Sequence, residues 1–101
     1  MIKTNPTVCI LLKNMFDPSE EAEPDWHLEI EQDVKGECEK YGRVLHIAVD
    51  AESQGYVYMK FEAIGAAQVA LTSLNGRYFA GKQIEGSFIP EGVYNTRYPR
   101  V

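Results

Sequence analysis

Cysteine and histidine are scarce in this chain, two of each in 101 residues. Cys9 and Cys38 lack the close spacing of a metal or redox pair, and both fall in apolar surroundings. They are expected to be reduced, mostly buried thiols of an intracellular protein. His27 and His46 are far apart in sequence, and no nucleophile–base or metal-ligand spacing stands out. Neither enzyme activity nor a cofactor is therefore expected. Basic residues are also few: 10 Lys and Arg face 15 Asp and Glu, for a net charge of -5. Nucleic-acid binding draws heavily on neutralising phosphates with such residues, so that contribution is weak unless they cluster. No apolar run approaches the ~18 residues of a membrane span, so no membrane partner is expected. A secretion-signal pattern is absent, and Met1 leads straight into the domain.

What is present suits one domain. Hydrophobic residues make up 45% of the chain, enough for a core without disulfide or metal staples. A single unit over residues 1–101 is expected, with its core at about 7–90 and a C-terminal extension at about 91–101. The acids cluster at Glu20, Glu21, Glu23, Asp25, Glu29, Glu31, Asp33, Glu37 and Glu39. A solvated helix face with an acidic lead-in would account for that run on its own.

Val8 to Leu12 is a short apolar run that predicts a strand, ended by Lys13-Asn14. Asp17-Pro18-Ser19 breaks it. A helix is expected from about Trp26, capped by Asp25, to Tyr41, with Gly42 as its stop. Val44 to Val49 and Gly55 to Phe61 alternate as strands do. Ala63 to Leu74 has helical spacing, and Asn75-Gly76 ends it. Arg77 to Lys82 reads as a loop with room for a short pairing segment, and Ile84 to Ile89 as the last core strand, closed by Pro90. The tail keeps Tyr94 and Tyr98, too apolar for a plain linker. This βαββαβ order is the split βαβ, ferredoxin-like plan: an α+β fold with a four-stranded antiparallel sheet and two helices on one face.

Gln54-Gly55-Tyr56-Val57-Tyr58-Met59-Lys60-Phe61 and Ile10-Leu11-Leu12-Lys13-Asn14-Met15 resemble the two signature segments of the RNA recognition motif (RRM), which is built on that plan. Strand alternation puts Tyr56 and Tyr58 on the open sheet face and turns Val57, Met59 and Phe61 toward the helices. Tyr56 and Tyr58 are candidates for stacking RNA bases. Against that, Gln54 replaces the leading basic residue and Leu11 the usual aromatic. His46 and Ala48 complete a face that is poor in charge. Three uses stand open for it: cover by the tail through Tyr94 or Tyr98, RNA stacking, or a second protein contact.

On the first helix a step of four residues turns the face by only ~40°. Glu29, Asp33 and Glu37 thus form one slanting acidic stripe beside the apolar face of Trp26, Ile30, Val34, Cys38 and Tyr41. Glu37 falls on the border and needs a partner, because desolvating an unpaired carboxylate is costly. Arg77 is the candidate, in a bidentate or near-bidentate pair. Intrahelical pairing of Glu37 with Lys40 or Tyr41 is the alternative. After the second helix comes Gly76-Arg77-Tyr78-Phe79-Ala80-Gly81-Lys82, with an aromatic where an RRM usually tucks an aliphatic side chain. A plain plug between the helices would also explain Phe79.

Together, Arg77-Tyr78-Phe79, the acidic stripe and the degenerate signature segments resemble the U2-auxiliary-factor homology motif (UHM). These are RRM-fold domains of splicing factors that bind short peptides rather than RNA. The likeness covers nearly the whole chain. Asn14-Met15-Phe16, Trp26, Glu29-Ile30, Asp33-Val34, Glu37-Cys38, Val44, His46-Ile47, Val49-Asp50, Gln54-Gly55, Val57-Tyr58, Phe79-Ala80-Gly81-Lys82 and Pro90 are similar to the C-terminal domain of CAPER-alpha-type splicing coactivators.

The resemblance implies that Phe79 stacks on a ligand tryptophan and that Arg77 pairs with Glu37 to shut one side of the pocket. Tyr78 would line the rim or point away. Ile30, Val34 and Leu74 would form walls, and Glu29, Asp33 and Glu37 would attract basic residues before the tryptophan. The implied partners are splicing factors with such motifs in disordered tails, for example the U2 auxiliary factor large subunit or a U2 particle scaffold subunit. RNA binding through this domain would be weak or nil. A nuclear location and, as in some members, a homodimer are further implications. Tyr56 departs from many members, where that position is not aromatic.

Overall fold

A computed structural model of the protein describes residues 5–20, 24–79 and 81–99. Glu21, Glu23 and Ala80, named above for the acidic lead-in and the loop, lie outside the described residues, as do both chain ends. The elements run β1 (Cys9–Lys13), a 3-10 turn (Pro18–Glu20), α1 (Trp26–Cys38), β2 (Val44–Asp50), β3 (Tyr56–Phe61) and α2 (Ile64–Leu74). They continue with β4 (Tyr78–Phe79), β5 (Lys82–Gln83), β6 (Glu85–Phe88) and α3 (Glu91–Arg97). Four strands pair in the order β2-β3-β1-β6, each neighbour antiparallel. This is the expected ferredoxin-like RRM arrangement, and two helices were expected where the described residues form three α-helices.

The core lies between one sheet face and the helices α1 and α2. Ile10 and Leu12 of β1, Val57, Met59 and Phe61 of β3, Val34 and Cys38 of α1, and Ala67, Ala70, Leu71 and Leu74 of α2 are all buried in it. Gly55 holds the β2–β3 connection against the end of β1. It takes φ +98°, and a Cβ there would lie 2.7 Å from the Phe16 carbonyl oxygen, so only glycine fits. Its carbonyl accepts from the Met15 N–H at 2.9 Å.

β1 is buried on both faces, which explains why Cys9 to Leu12 is a continuous apolar run rather than an alternating one. Its outer face lies under α3. Tyr94 is fully buried there and contacts the rings of His46, Tyr58 and Tyr98. Polar contacts hold α3 down as well. Tyr94 Oη is 2.6 Å from His46 Nδ1, Lys60 Nζ meets Asn95 Oδ1 at 3.0 Å and Glu91 at 3.3 Å, and Arg97 pairs with Asp50 at 2.6 Å. Among the described residues no helix is long and apolar enough to cross a membrane.

Several boundaries differ from the sequence reading. α1 ends at Cys38 rather than Tyr41, because the chain tightens into a turn in which the Tyr41 N–H donates to the Cys38 carbonyl. Asp25 occupies the N-cap position but caps with its backbone carbonyl, which accepts from Leu28 and Glu29; its side chain makes no cap bond. The short pairing segment allowed for within Arg77 to Lys82 is present as a hairpin that reaches one residue further, with Tyr78 opposite Gln83 and Phe79 opposite Lys82. The last core strand is shorter, Glu85–Phe88. β2 carries an irregularity between Val44 and His46. It leaves Leu45 exposed and keeps His46 and Ala48 opposite Lys60 and Tyr58 on the outer face.

Candidate functional site

A cleft of about 290 Å³ opens where α1, the end of α2 and the β4–β5 hairpin meet. From α1 it receives Asp33, Val34, Glu37 and Cys38, a spacing that repeats one helical face. α2 contributes its last residue, Leu74; the hairpin strand and the residue before it contribute Arg77, Tyr78 and Phe79. Met15 and Ile84 complete the lining. The apolar floor is buried, whereas Arg77 and Tyr78 are exposed at the rim, Tyr78 to 72%. Phe79 is half-buried; it packs on the core cluster and lines the cleft.

Backbone hydrogen bonds fix the hairpin. Ile84 N–H donates to the Arg77 carbonyl at 2.7 Å, Arg77 N–H to Leu74 at 3.0 Å, and Gly76 N–H to Ile84 at 2.8 Å. Asn14, at φ +67°, reaches across to give its amide to the Gln83 carbonyl at 3.1 Å. Asparagine tolerates that left-handed conformation better than most residues. Gln83 in turn donates to the Gly76 carbonyl at 3.0 Å. Arg77 and Phe79 are therefore presented from a braced turn.

Glu37 sits on the border of core and solvent, and both candidate partners reach it. Lys40 Nζ is 2.5 Å from Oε2 and Arg77 Nη1 is 3.6 Å from the same oxygen. The contact with Arg77 uses one nitrogen at long range, so the bidentate pair expected from the sequence is not formed; Lys40, in the turn just after α1, takes the close position. The Lys40 hydrogen bond, helped by the charges of Lys40 and Arg77, holds the Glu37 carboxyl below the usual range, against a desolvation that pushes the other way. Burial, with the Glu37 charge adding to it, pushes the Cys38 thiol up to about 12. Cys38 is thus a neutral floor residue and not a nucleophile.

The cleft gathers Arg77, Tyr78, Phe79, Asp33, Glu37, Val34 and Leu74, as expected, but not Glu29 or Ile30. Two steps of four along α1 turn the face by about 80° and advance it by about 12 Å. Glu29 therefore lies exposed, a turn and more away, while Ile30 packs against the core cluster. Met15, Cys38 and Ile84 were missed. Cys38 follows Val34 by four and was readable as a neighbour; Ile84 needed the hairpin pairing, which two-residue strands do not announce.

The outer sheet face is covered over Tyr58 and His46, and a groove of about 780 Å³ stays open beside them between Leu11, Ile89 and α3. Tyr94 and Tyr98 pack edge-on or tilted against Tyr58 and His46, and the Arg97 guanidinium lies 4.7 Å from the Tyr58 ring centre. Leu11 is buried beneath. Tyr56 is different: the aromatic cluster does not include it, and Lys13 Nζ stands 5.3 Å from its ring centre.

Comparison with known proteins gives two family matches. The RNA recognition motif matches residues 30–85, and the linker between RRM2 and RRM3 domains in RBM39 protein matches residues 2–26. Splicing factor 45 of Homo sapiens is 36% identical over 90 residues, 82% of this chain and 21% of that protein. Inner nuclear membrane protein Man1 of Mus musculus is 35% identical over 95 residues, 93% of this chain and 10% of that protein. Serine/threonine-protein kinase Kist of Homo sapiens is 32% identical over 95 residues, 92% of this chain and 23% of that protein. The chain thus spans less than a quarter of the length of each. A solved RRM of RNA15 superposes with a TM-score of 0.64 over 88% of this chain and 97% of that one, at 16% identity, and so shares the fold.

Proposed function

This chain belongs to the RNA recognition motif family, and we propose that it serves pre-mRNA splicing as a peptide-binding module of the UHM type. The ligand is a segment with one tryptophan preceded by basic residues, held in a disordered tail of another splicing factor. The observation that carries this reading is the cleft on the helix side. Phe79 offers a ring, Val34, Leu74, Met15 and Ile84 an apolar floor, and Asp33 an acidic border. Its volume lies at the small end of the roughly 300–1,000 Å³ of ligand pockets, suited to one large side chain. A tryptophan seated there would stack on Phe79 offset or edge-on, and its burial would offset the ordering entropy of the tail. The acidic border adds on-rate and sign selectivity, so affinity falls with salt. The function is binding rather than catalysis, in the nucleus, by a single domain with α3 as its C-terminal extension.

A two-dimensional amide NMR titration with a Lys/Arg-rich peptide containing one Trp tests this. Shifts at Arg77 to Phe79 and Asp33 to Glu37 are expected, and they vanish when the peptide's Trp is replaced by Ala. An undisturbed cleft would overturn the reading.

A second reading, RNA contact on the sheet, has one specific support: Tyr56 lies outside the tyrosine cluster, with a lysine beside its ring. A filter-binding titration with mixed single-stranded RNA separates the two. Only RNA stacking requires that binding be lost on joint Tyr56→Ala and Tyr58→Ala substitution.

A further inference from the structure

The carboxylates of the α1 stripe are not equally free to meet a ligand's cation. Glu37 Oε2 is shut off from solvent, and two cations of the chain already touch it, Lys40 at 2.5 Å and Arg77 at 3.6 Å. Lys40 has a second hold, its Nζ standing 5.4 Å from the Tyr41 ring centre. Asp33 lines the same cleft with an exposed side chain. Among the described residues no Lys, Arg or His comes within ion-pair distance of it.

We propose that Lys40 is a built-in competitor for the ligand's cation: it occupies Glu37 and leaves Asp33 as the carboxylate that reads the basic flank. This deepens the peptide reading above and rests on it. A ligand cation reaching for Oε2 of Glu37 must displace Lys40. That exchanges one ion pair between partly exposed side chains for another and gains little. The cleft therefore rewards one close basic residue, at Asp33, and is indifferent to a second. Lys40 sets this selectivity without touching the tryptophan.

Titration calorimetry on wild type, Lys40→Gln, Glu37→Gln, the double variant and Lys35→Gln tests the proposal. Two peptides are needed: the Lys/Arg-rich Trp peptide, and the same peptide with its basic flank replaced by Gln. Lys40→Gln is expected to tighten the basic peptide about twofold to fivefold, the scale of one exposed ion pair, and to leave the neutral-flank peptide within about twofold. The gain disappears when Glu37→Gln is the background. Lys35→Gln, which removes the same charge from α1 one turn earlier in the chain, does not reproduce it. No gain, a gain that survives in the Glu37→Gln background, or an equal gain from Lys35→Gln would overturn the proposal. Without ligand, the Glu37 carboxyl followed by carbon NMR is expected to titrate higher in Lys40→Gln, and an unmoved titration also overturns it. Failure of the peptide reading looks different, since neither peptide then binds wild type and both conclusions fall. Peptides that bind equally to wild type and Lys40→Gln remove the competitor alone.

Discussion

The two faces of this domain carry similar chemistry in opposite states. On the sheet side, Tyr58, His46 and Lys60 have rings and charge, and α3 supplies a partner for each of them. On the helix side, Phe79 and Asp33 have a ring and a charge with no such cover, at the mouth of a cleft. Aromatic content therefore does not tell which face binds. What distinguishes them is whether the chain has already satisfied its own groups. A tyrosine packed among tyrosines stabilises the fold, whereas the half-buried ring of Phe79 lines an open cleft and is the one the proposed peptide reading would use.

The strongest break of this contrast is Tyr94→Ala. It empties a fully buried position and is expected to cost about 3–5 kcal/mol of stability, the scale of a large aromatic truncation. Urea unfolding measures it; a loss below about 1 kcal/mol would mean that α3 does not pack as described. Next comes Phe79→Ala, expected to weaken the Trp peptide by about 2 kcal/mol or more, as at a hot spot, while the domain stays folded by circular dichroism. Undiminished affinity would remove Phe79 from the site. Tyr94→Phe deletes only the hydroxyl facing His46 and is expected to cost about 1 kcal/mol. Asp33→Lys should weaken the basic peptide severalfold and flatten its salt dependence; an unchanged affinity would make the stripe a solvated face.

Proton concentration offers the mildest test. Burial holds the His46 imidazole below its ordinary value, so the folded state favours the neutral ring. The associated stability is present above the unfolded pKa of roughly 6.5 and is lost as pH falls through the lower folded value. Melting scans between pH 7.5 and 5.5 are expected to show a decline that His46→Gln blunts. Peptide affinity at the other face should not follow that substitution.

Much of the fold was legible because the hydrophobic pattern of each core element matches its period. Val57, Met59 and Phe61 alternate inward, and Ala67, Ala70, Leu71 and Leu74 repeat at helical spacing. α3 was not legible as a helix. Seven residues with Gly92 near the start and one buried side chain carry no periodic signal, although Tyr94 and Tyr98 announced that something covers the sheet. Within the site, Arg77, Phe79 and Glu37 were readable from loop and stripe. The extent of the cleft was not, because the slant of the stripe carries Glu29 away and only the folded hairpin brings Ile84 and Met15 in. The order of strength at Glu37 was also hidden. Two exposed cations compete for one oxygen, and sequence spacing does not rank them.

The hairpin bears on how such a domain changes over time. Most of its anchors are backbone groups, joining Gly76, Arg77, Leu74 and Ile84. The exposed side chains of Arg77 and Tyr78 are thus largely excused from holding the turn together, whereas Phe79 also packs on the core. A duplicated copy could therefore rewrite positions 77 and 78 while the backbone keeps the turn's architecture.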